Sequence, residues 1–202
     1  RERGITIKAQ TVRLNYTALN GNTYYNDSYI ISKSKLENYP LFFKISASKI
    51  RKTLEKETLI DTVKVKKQFD FGIEITIVEK KILYQRKSDS KYVLSTGEDV
   101  SLDNIIGIPV LINYYPNTLN EKVIKAFNKL DKDIISKISM IEYSKTDADD
   151  ERFLFYMCDG NLVYINLNRM ENLNKYTEIL NQVGTKKGIL NLDSGNYFEV
   201  KE

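Results

Sequence analysis

Apolar positions alternate loosely at Ile5, Ile7 and Ala9 and then at Val12 and Leu14, which predicts a strand over residues 5–14 that continues toward Leu19. Asn20-Gly21-Asn22 breaks it. Asn26 and Asp27, with Asp27 as the N-cap, introduce Tyr29, Ile30, Ile31 and Leu36, a short helix that ends before Pro40. Leu41-Phe42-Phe43 and Ile45 form an apolar plug. Ser46 or Ser48 caps a second helix with Ile50, Leu54 and Leu59 on one face and Lys and Glu on the other. Two alternating strands follow: residues 60–66, through Val63 and Val65, and residues 73–78, through Ile73, Ile75 and Ile77. The turn Gln68-Phe69-Asp70-Phe71-Gly72 joins them. The order β-α-α-β-β closes a small sheet with both helices on one face.

A second unit begins near Glu79. Residues 82–85 and 92–95 read as strands around a polar loop, and Thr96-Gly97-Glu98-Asp99 makes another turn. Pro109-Val110-Leu111-Ile112 is a short apolar strand. Over residues 120–138, Val123, Phe127, Leu130, Ile134 and Ile138 recur at helical steps and predict one long helix, with residues 131–133 as the place where it breaks if it does. Residues 139–143 return as a strand. Residues 152–158 and 162–167 flank Asp159-Gly160-Asn161, a hairpin turn. A further helix carries Met170, Leu173, Tyr176, Ile179, Leu180 and Val183 and closes at Gly184. Last comes residues 188–200, where Ile189, Leu190 and Leu192 and then Tyr197, Phe198 and Val200 flank the turn Asp193-Ser194-Gly195-Asn196. A terminal strand of this kind has one row of unpaired backbone donors and acceptors, which proteins hide or use to capture another chain. The residues alone favour a buried hairpin whose aromatics fill the core.

Composition narrows the class. Of 202 residues, 29% are charged and 42% apolar, with only 9 Gly and 3 Pro, so the chain is globular and long enough for one large or two small domains. Lys and Arg number 31 against 27 Asp and Glu, and a net charge of +4 is too diluted to argue for nucleic acid. Pairs such as Lys66-Lys67, Lys80-Lys81 and Lys186-Lys187 read as solvated faces. The single cysteine, Cys158, precludes a disulfide framework within the chain and reads as a small core residue. No stretch has the length of a membrane span and no signal peptide is visible. The chain starts at Arg1 rather than Met and reads as a fragment of a longer protein.

Candidate chemistry is sparse. There is no histidine, which removes the Ser-His-Asp and Cys-His arrangements, the commonest metal ligand and the usual general base. Glycine-rich phosphate loops are missing. The carboxylates Asp147, Asp149, Asp150 and Glu151 sit in one polar loop without the alternation of a Ca²⁺ site. The 14 Tyr and 8 Phe fall mostly within strand and helix patterns, as core packing requires; Tyr24-Tyr25 and Tyr114-Tyr115, in loops, are the exceptions. No catalytic residue, metal site or cofactor site is therefore assigned.

Several segments in a fixed order carry a resemblance. Asn20-Gly21-Asn22 through Asn26-Asp27, Ile30-Ile31, Tyr39-Pro40, Val63-Lys64-Val65 and Ile75-Thr76-Ile77-Val78-Glu79 are similar to the POTRA domain of the bacterial cell-division family FtsQ/DivIB. Tyr92 to Gly97, Ile108-Pro109 to Asn113, Asp159-Gly160 and residues 188–198 are similar to the β domain of the Gram-positive members. No single motif is specific; their order and spacing are. The family's cytoplasmic tail and membrane helix are not in this sequence, so the resemblance implies the extracytoplasmic region of a single-pass plasma-membrane protein at the division septum. The implied fold is α+β, a β-α-α-β-β POTRA domain at residues 1–79 followed by a mixed-sheet β domain with two long helices at residues 80–202.

The resemblance also implies a non-enzymatic scaffold. It binds the coiled-coil division proteins FtsL and FtsB/DivIC and supports septal peptidoglycan synthesis, accepting a partner segment as an added strand. Carried onto this chain, the partner-binding positions are Leu190, Leu192, Ser194, Gly195, Tyr197, Phe198 and Val200. Lys66, Lys67, Lys80 and Lys81 form a second candidate surface, for an acidic partner. Rival classes are a cell-wall-active enzyme, which needs a cleft with converging carboxylates, and a POTRA-containing transport or secretion component. The latter needs many alternating strands after the POTRA unit, against which the helices at 120–138 and 169–183 speak. A weak nucleic-acid binder is a third.

Overall fold

The structure, a computed structural model, describes residues 12–184 and 187–201. They fall into two compact units, one running to Lys80 and the other from Lys81. The strand expected over residues 5–14 lies mostly outside the described residues. Its end, Val12 to Leu14, is extended along the 40–42 segment: Phe42 N donates to Val12 O and Leu14 N to Pro40 O, both at 2.8 Å.

In the first unit the strand β1 (Thr17–Asn20) leads to helix α1 (Asp27–Lys33), a 3₁₀ turn at Phe42–Lys44, helix α2 (Ala47–Leu54) and the hairpin β2 (Ile60–Lys67) and β3 (Ile73–Glu79). The sheet order is β1-β3-β2, with β1 parallel and β2 antiparallel to β3. The cap of α1 is Asn26, whose side chain accepts from Tyr29 N at 2.8 Å, not Asp27, which is the first helical residue. Ser46 caps α2. Ile30, Ile50 and Leu54 from the helices meet Val63, Ile73, Ile75 and Ile77 from the sheet in one core, the β-α-α-β-β arrangement that the alternation implied.

The second unit is a mixed sheet in the order β12-β11-β10-β9-β8-β7-β4-β5-β6. Its strands are β4 (Ile82–Arg86), β5 (Tyr92–Leu94), β6 (Asp99–Val100), β7 (Val110–Leu111), β8 (Ile138–Tyr143), β9 (Arg152–Met157), β10 (Leu162–Asn166), β11 (Gly188–Asn191) and β12 (Tyr197–Val200). The pairs β4–β7, β7–β8 and β10–β11 are parallel and the others antiparallel.

The two helical stretches expected here are both present, and each is divided. The first comprises α3 (Asn120–Asn128) and α4 (Lys132–Ile135), and Ile138 already belongs to β8. The residues of its apolar stripe are all buried, but the backbone ladder stops because other side chains take its last carbonyls. Lys81 Nζ donates to Phe127 O and Asn128 O at 3.1 Å and also to Leu130 O. Asn174 Nδ2 donates to Lys129 O, and its Oδ1 accepts from Asp131 N. Lys81 is therefore not on a solvated face, and burial lowers its ammonium pKa. The second stretch is a 3₁₀ helix over Leu167–Lys175 that becomes α5 (Tyr176–Val183). Leu167, Met170, Leu173 and Tyr176 are buried at steps of three, the period of a 3₁₀ rather than an α-helix. Gly184 closes α5 at φ 79.

Cys158 is exposed at the β9–β10 turn rather than in the core, because the strand ends one residue earlier, at Met157. Tyr24 and Tyr25 are anchored through their backbones. With Thr23 they donate three N–H groups to the buried Glu79 carboxylate at 2.8 to 3.1 Å, and the Tyr25 ring stacks on Tyr29. Tyr115 is likewise engaged, its hydroxyl 2.6 Å from that of Tyr84, while Tyr114 is exposed.

Candidate partner-binding edge

The terminal hairpin forms as the turn chemistry implies, and among the described residues β12 lies at one end of the sheet order and pairs with β11 alone. Three hydrogen bonds fix which backbone groups are used. Gly188 N donates to Asn161 Oδ1 and Leu192 N to Tyr164 O, so the even-numbered residues of β11 face β10. Lys201 N donates to Lys187 O, so the odd-numbered residues of the two terminal strands face each other. In an antiparallel pair these bonds alternate residue by residue. The N–H and C=O groups of Tyr197 and Glu199 therefore point inward to Asn191 and Ile189, their partners in register. Those of Phe198 and Val200 point away from the sheet.

Beside this edge runs a groove of about 400 Å³ between α5 and the hairpin. Its lining includes Ile179 and Val183 from α5, Leu190 and Leu192 from the floor, and Tyr197 and Phe198 from β12. Leu190 and Leu192, each 1% exposed, belong to the core. Phe198 packs against the same core across from Leu190, whereas Tyr197 (49% exposed) and Val200 (48%) are open to solvent. A Cβ on Gly188 would lie 1.9 Å from Glu199 O, so only glycine permits this approach of β11 to β12. At Gly195 a Cβ would meet the Tyr197 ring at 2.9 Å, so the missing side chain leaves room for that ring over the turn.

Two polar anchors hold β11, and neither is evident in the local pattern. At its start Asn161, 1% exposed, also donates to Tyr176 Oη, whose hydroxyl donates to Asp159. The Asp159-Gly160-Asn161 turn thus connects α5 to Gly188. Just past its end, Asp193 accepts from Arg152 Nε at 2.7 Å, and the Arg152 guanidinium lies 3.7 Å from the Tyr164 ring centre. Burial pushes the Asp193 carboxyl pKa up, but the Arg152 pair and the Ser194 N–H bond outweigh it and hold the group below its ordinary range. Ser194 is fixed by its own bonds to Asp193 Oδ1.

The other surface considered, the lysine set, is not one patch of free cations. Lys67 Nζ donates to Phe42 O at 3.0 Å and lies over the Phe42 ring, and Lys81 is taken up by the α3 carbonyls. Lys186 lies outside the described residues. Among the described residues, no group of three or more Cys, Asp or Glu side chains is placed to hold a metal ion, and no helix is long and apolar enough to cross a membrane.

A β-α-α-β-β unit joined to a mixed sheet with an open terminal strand is a POTRA-bearing architecture, and residues 12–80 match the POTRA domain of FtsQ type. The cell division protein DivIB of Listeria monocytogenes is 32% identical over 196 residues, which cover 93% of this chain and 72% of that protein. DivIB of Bacillus subtilis is 27% identical over 191 residues, 90% of this chain and 72% of its own. Among solved structures, the major extracytoplasmic domain of DivIB from Geobacillus stearothermophilus aligns with a TM-score of 0.43 at 18% identity, covering 50% of this chain and 92% of that one. The chain belongs to the DivIB family of cell-division proteins.

Proposed function

We propose that this chain is the extracytoplasmic part of a membrane-anchored division scaffold at the septum, and that its β12 edge captures a segment of an FtsL- or FtsB/DivIC-type coiled-coil partner as an added strand. One observation carries the reading: Phe198 and Val200 turn four backbone hydrogen-bonding groups outward beside an apolar groove. An incoming strand pairs with those groups, and alternate side chains of the same strand reach the groove between α5 and the hairpin. Tyr197, Phe198 and Val200 then make the direct contacts. Leu190 and Leu192 form the floor, and Ser194 and Gly195 shape the turn that presents the strand. The scaffold acts by binding, in support of septal peptidoglycan synthesis, and needs no catalytic group.

The test is a pull-down of the extracytoplasmic segments of the FtsL- and FtsB/DivIC-type proteins from the same cell, using Tyr197→Lys with Val200→Lys. Both side chains are half exposed, so circular dichroism should be unchanged while capture is lost. Undiminished capture with the double variant refutes the edge.

A further inference from the structure

The POTRA unit has an aromatic tip that its core does not explain. In the turn between β2 and β3, Phe71 sits at φ 63, a left-handed conformation that a bulky side chain rarely adopts. The turn so formed leaves Phe69 at 104% exposure. Phe71 meets Phe42 edge-on at 5.5 Å and Phe43 at 6.2 Å, and Phe43 is itself half exposed. Tyr16 reaches the same turn, its hydroxyl donating to Asp70 Oδ1 at 3.3 Å. Cations flank the cluster in sequence, among them the exposed Lys44 and Lys66. Lys67 lies over the Phe42 ring, Lys44 follows Phe43, and Arg13 bridges to Leu41 and donates to the Asn38 and Tyr39 carbonyls. The nearby carboxylates have internal donors: Asp70 accepts from Tyr16 and Gly72 N, and Glu74 from Gln68.

Shape decides what such a tip fits. A peptide-binding site is concave and encloses its ligand's side chains, whereas here the protein's own side chain projects with nothing around it. A convex apolar tip flanked by exposed lysines matches a deformable apolar phase behind negative charges. We propose that this tip inserts into the headgroup layer of an anionic lipid bilayer, Phe69 leading, Phe43 and Phe71 behind it and the exposed Lys44 and Lys66 at the phosphates. It is a second contact surface, in a different unit from the strand edge and independent of it.

The chain contains no tryptophan, so Phe69→Trp provides a single reporter. With vesicles of phosphatidylcholine and phosphatidylglycerol in equal parts, its emission should shift to the blue and be quenched by brominated acyl chains. Phe69→Ser with Phe43→Ser should lower sedimentation with the same vesicles by roughly tenfold or more. Lys44→Glu with Lys66→Glu should weaken it too, and Tyr197→Lys should leave it unchanged. Absence of vesicle binding overturns the proposal. So does binding that the serine variants do not reduce, which is adsorption by charge alone, and so does a blue shift produced by an acidic peptide but not by vesicles.

Discussion

Proline at position 200 tests the edge more sharply than any side-chain change. The Val200 N–H points away from β11, so Val200→Pro removes a donor that the fold does not use, and edge strands tolerate proline in that orientation. Val200 is half exposed, and its loss should shift stability by no more than about 0.5 kcal/mol. For a bound strand the position is different. Four outward groups at about 0.5–1.5 kcal/mol each give the ladder about 2–6 kcal/mol. Deleting one donor and leaving the partner's carbonyl unpaired should cost about 1–3 kcal/mol, or roughly fivefold to 150-fold in Kd. Glu199→Pro is the control, since the Glu199 N–H faces Ile189 inside the hairpin and its removal should destabilise the fold itself by roughly 3 kcal/mol. Titration calorimetry with the partner segment and thermal melts of both variants separate the cases. Normal affinity in Val200→Pro, with loss only in Glu199→Pro, would show that hairpin integrity matters and the outward edge does not.

Asn161→Ala removes the partner of Gly188 N and of Tyr176, and hydrogen exchange across residues 188–201 should accelerate while exchange in the POTRA unit stays constant. Asp193 has a depressed carboxyl pKa, so the stability it contributes is present above its ordinary range and disappears as pH falls below about 4. The Tm difference between wild type and Asp193→Asn should therefore be largest near neutrality and shrink in acid; a pH-independent difference would refute the assignment. Glu79→Ala strands the N–H groups of Thr23, Tyr24 and Tyr25 and should cost the POTRA unit about 2–4 kcal/mol, visible as faster exchange over residues 20–30.

Much of the fold was legible because strands in this chain keep period two. The alternation at Val63, Val65, Ile73, Ile75 and Ile77 and the turn at Asp159-Gly160-Asn161 each predicted their hairpin. The helices were legible as buried stripes but not as continuous backbone. The 120–138 stripe buries every expected residue, yet Lys81 and Asn174 end its ladder from distant positions in sequence. In the 3₁₀ segment the steps of three at Leu167, Met170, Leu173 and Tyr176 were present in the sequence; a run that long is unusual enough that an α-helix was the natural reading. At the site, turn residues and β-formers identified the hairpin, but which of its backbone groups face outward depends on Asn161 and Tyr164, distant in sequence from the β11 residues they bond. The anchors Asn161 and Arg152 had no local signature because their partners come from other strands.

That β11 is held at both ends, by Asn161 at Gly188 and by Arg152 at Asp193, has a mechanical meaning. The hydrogen bonds between β12 and β11 run across the strands, so a partner pulled along its own axis loads them together in shear instead of opening them one at a time. A strand added at this edge would pass tension through β12 to β11, which its two side-chain anchors tie to the β9–β10 turn and to β9.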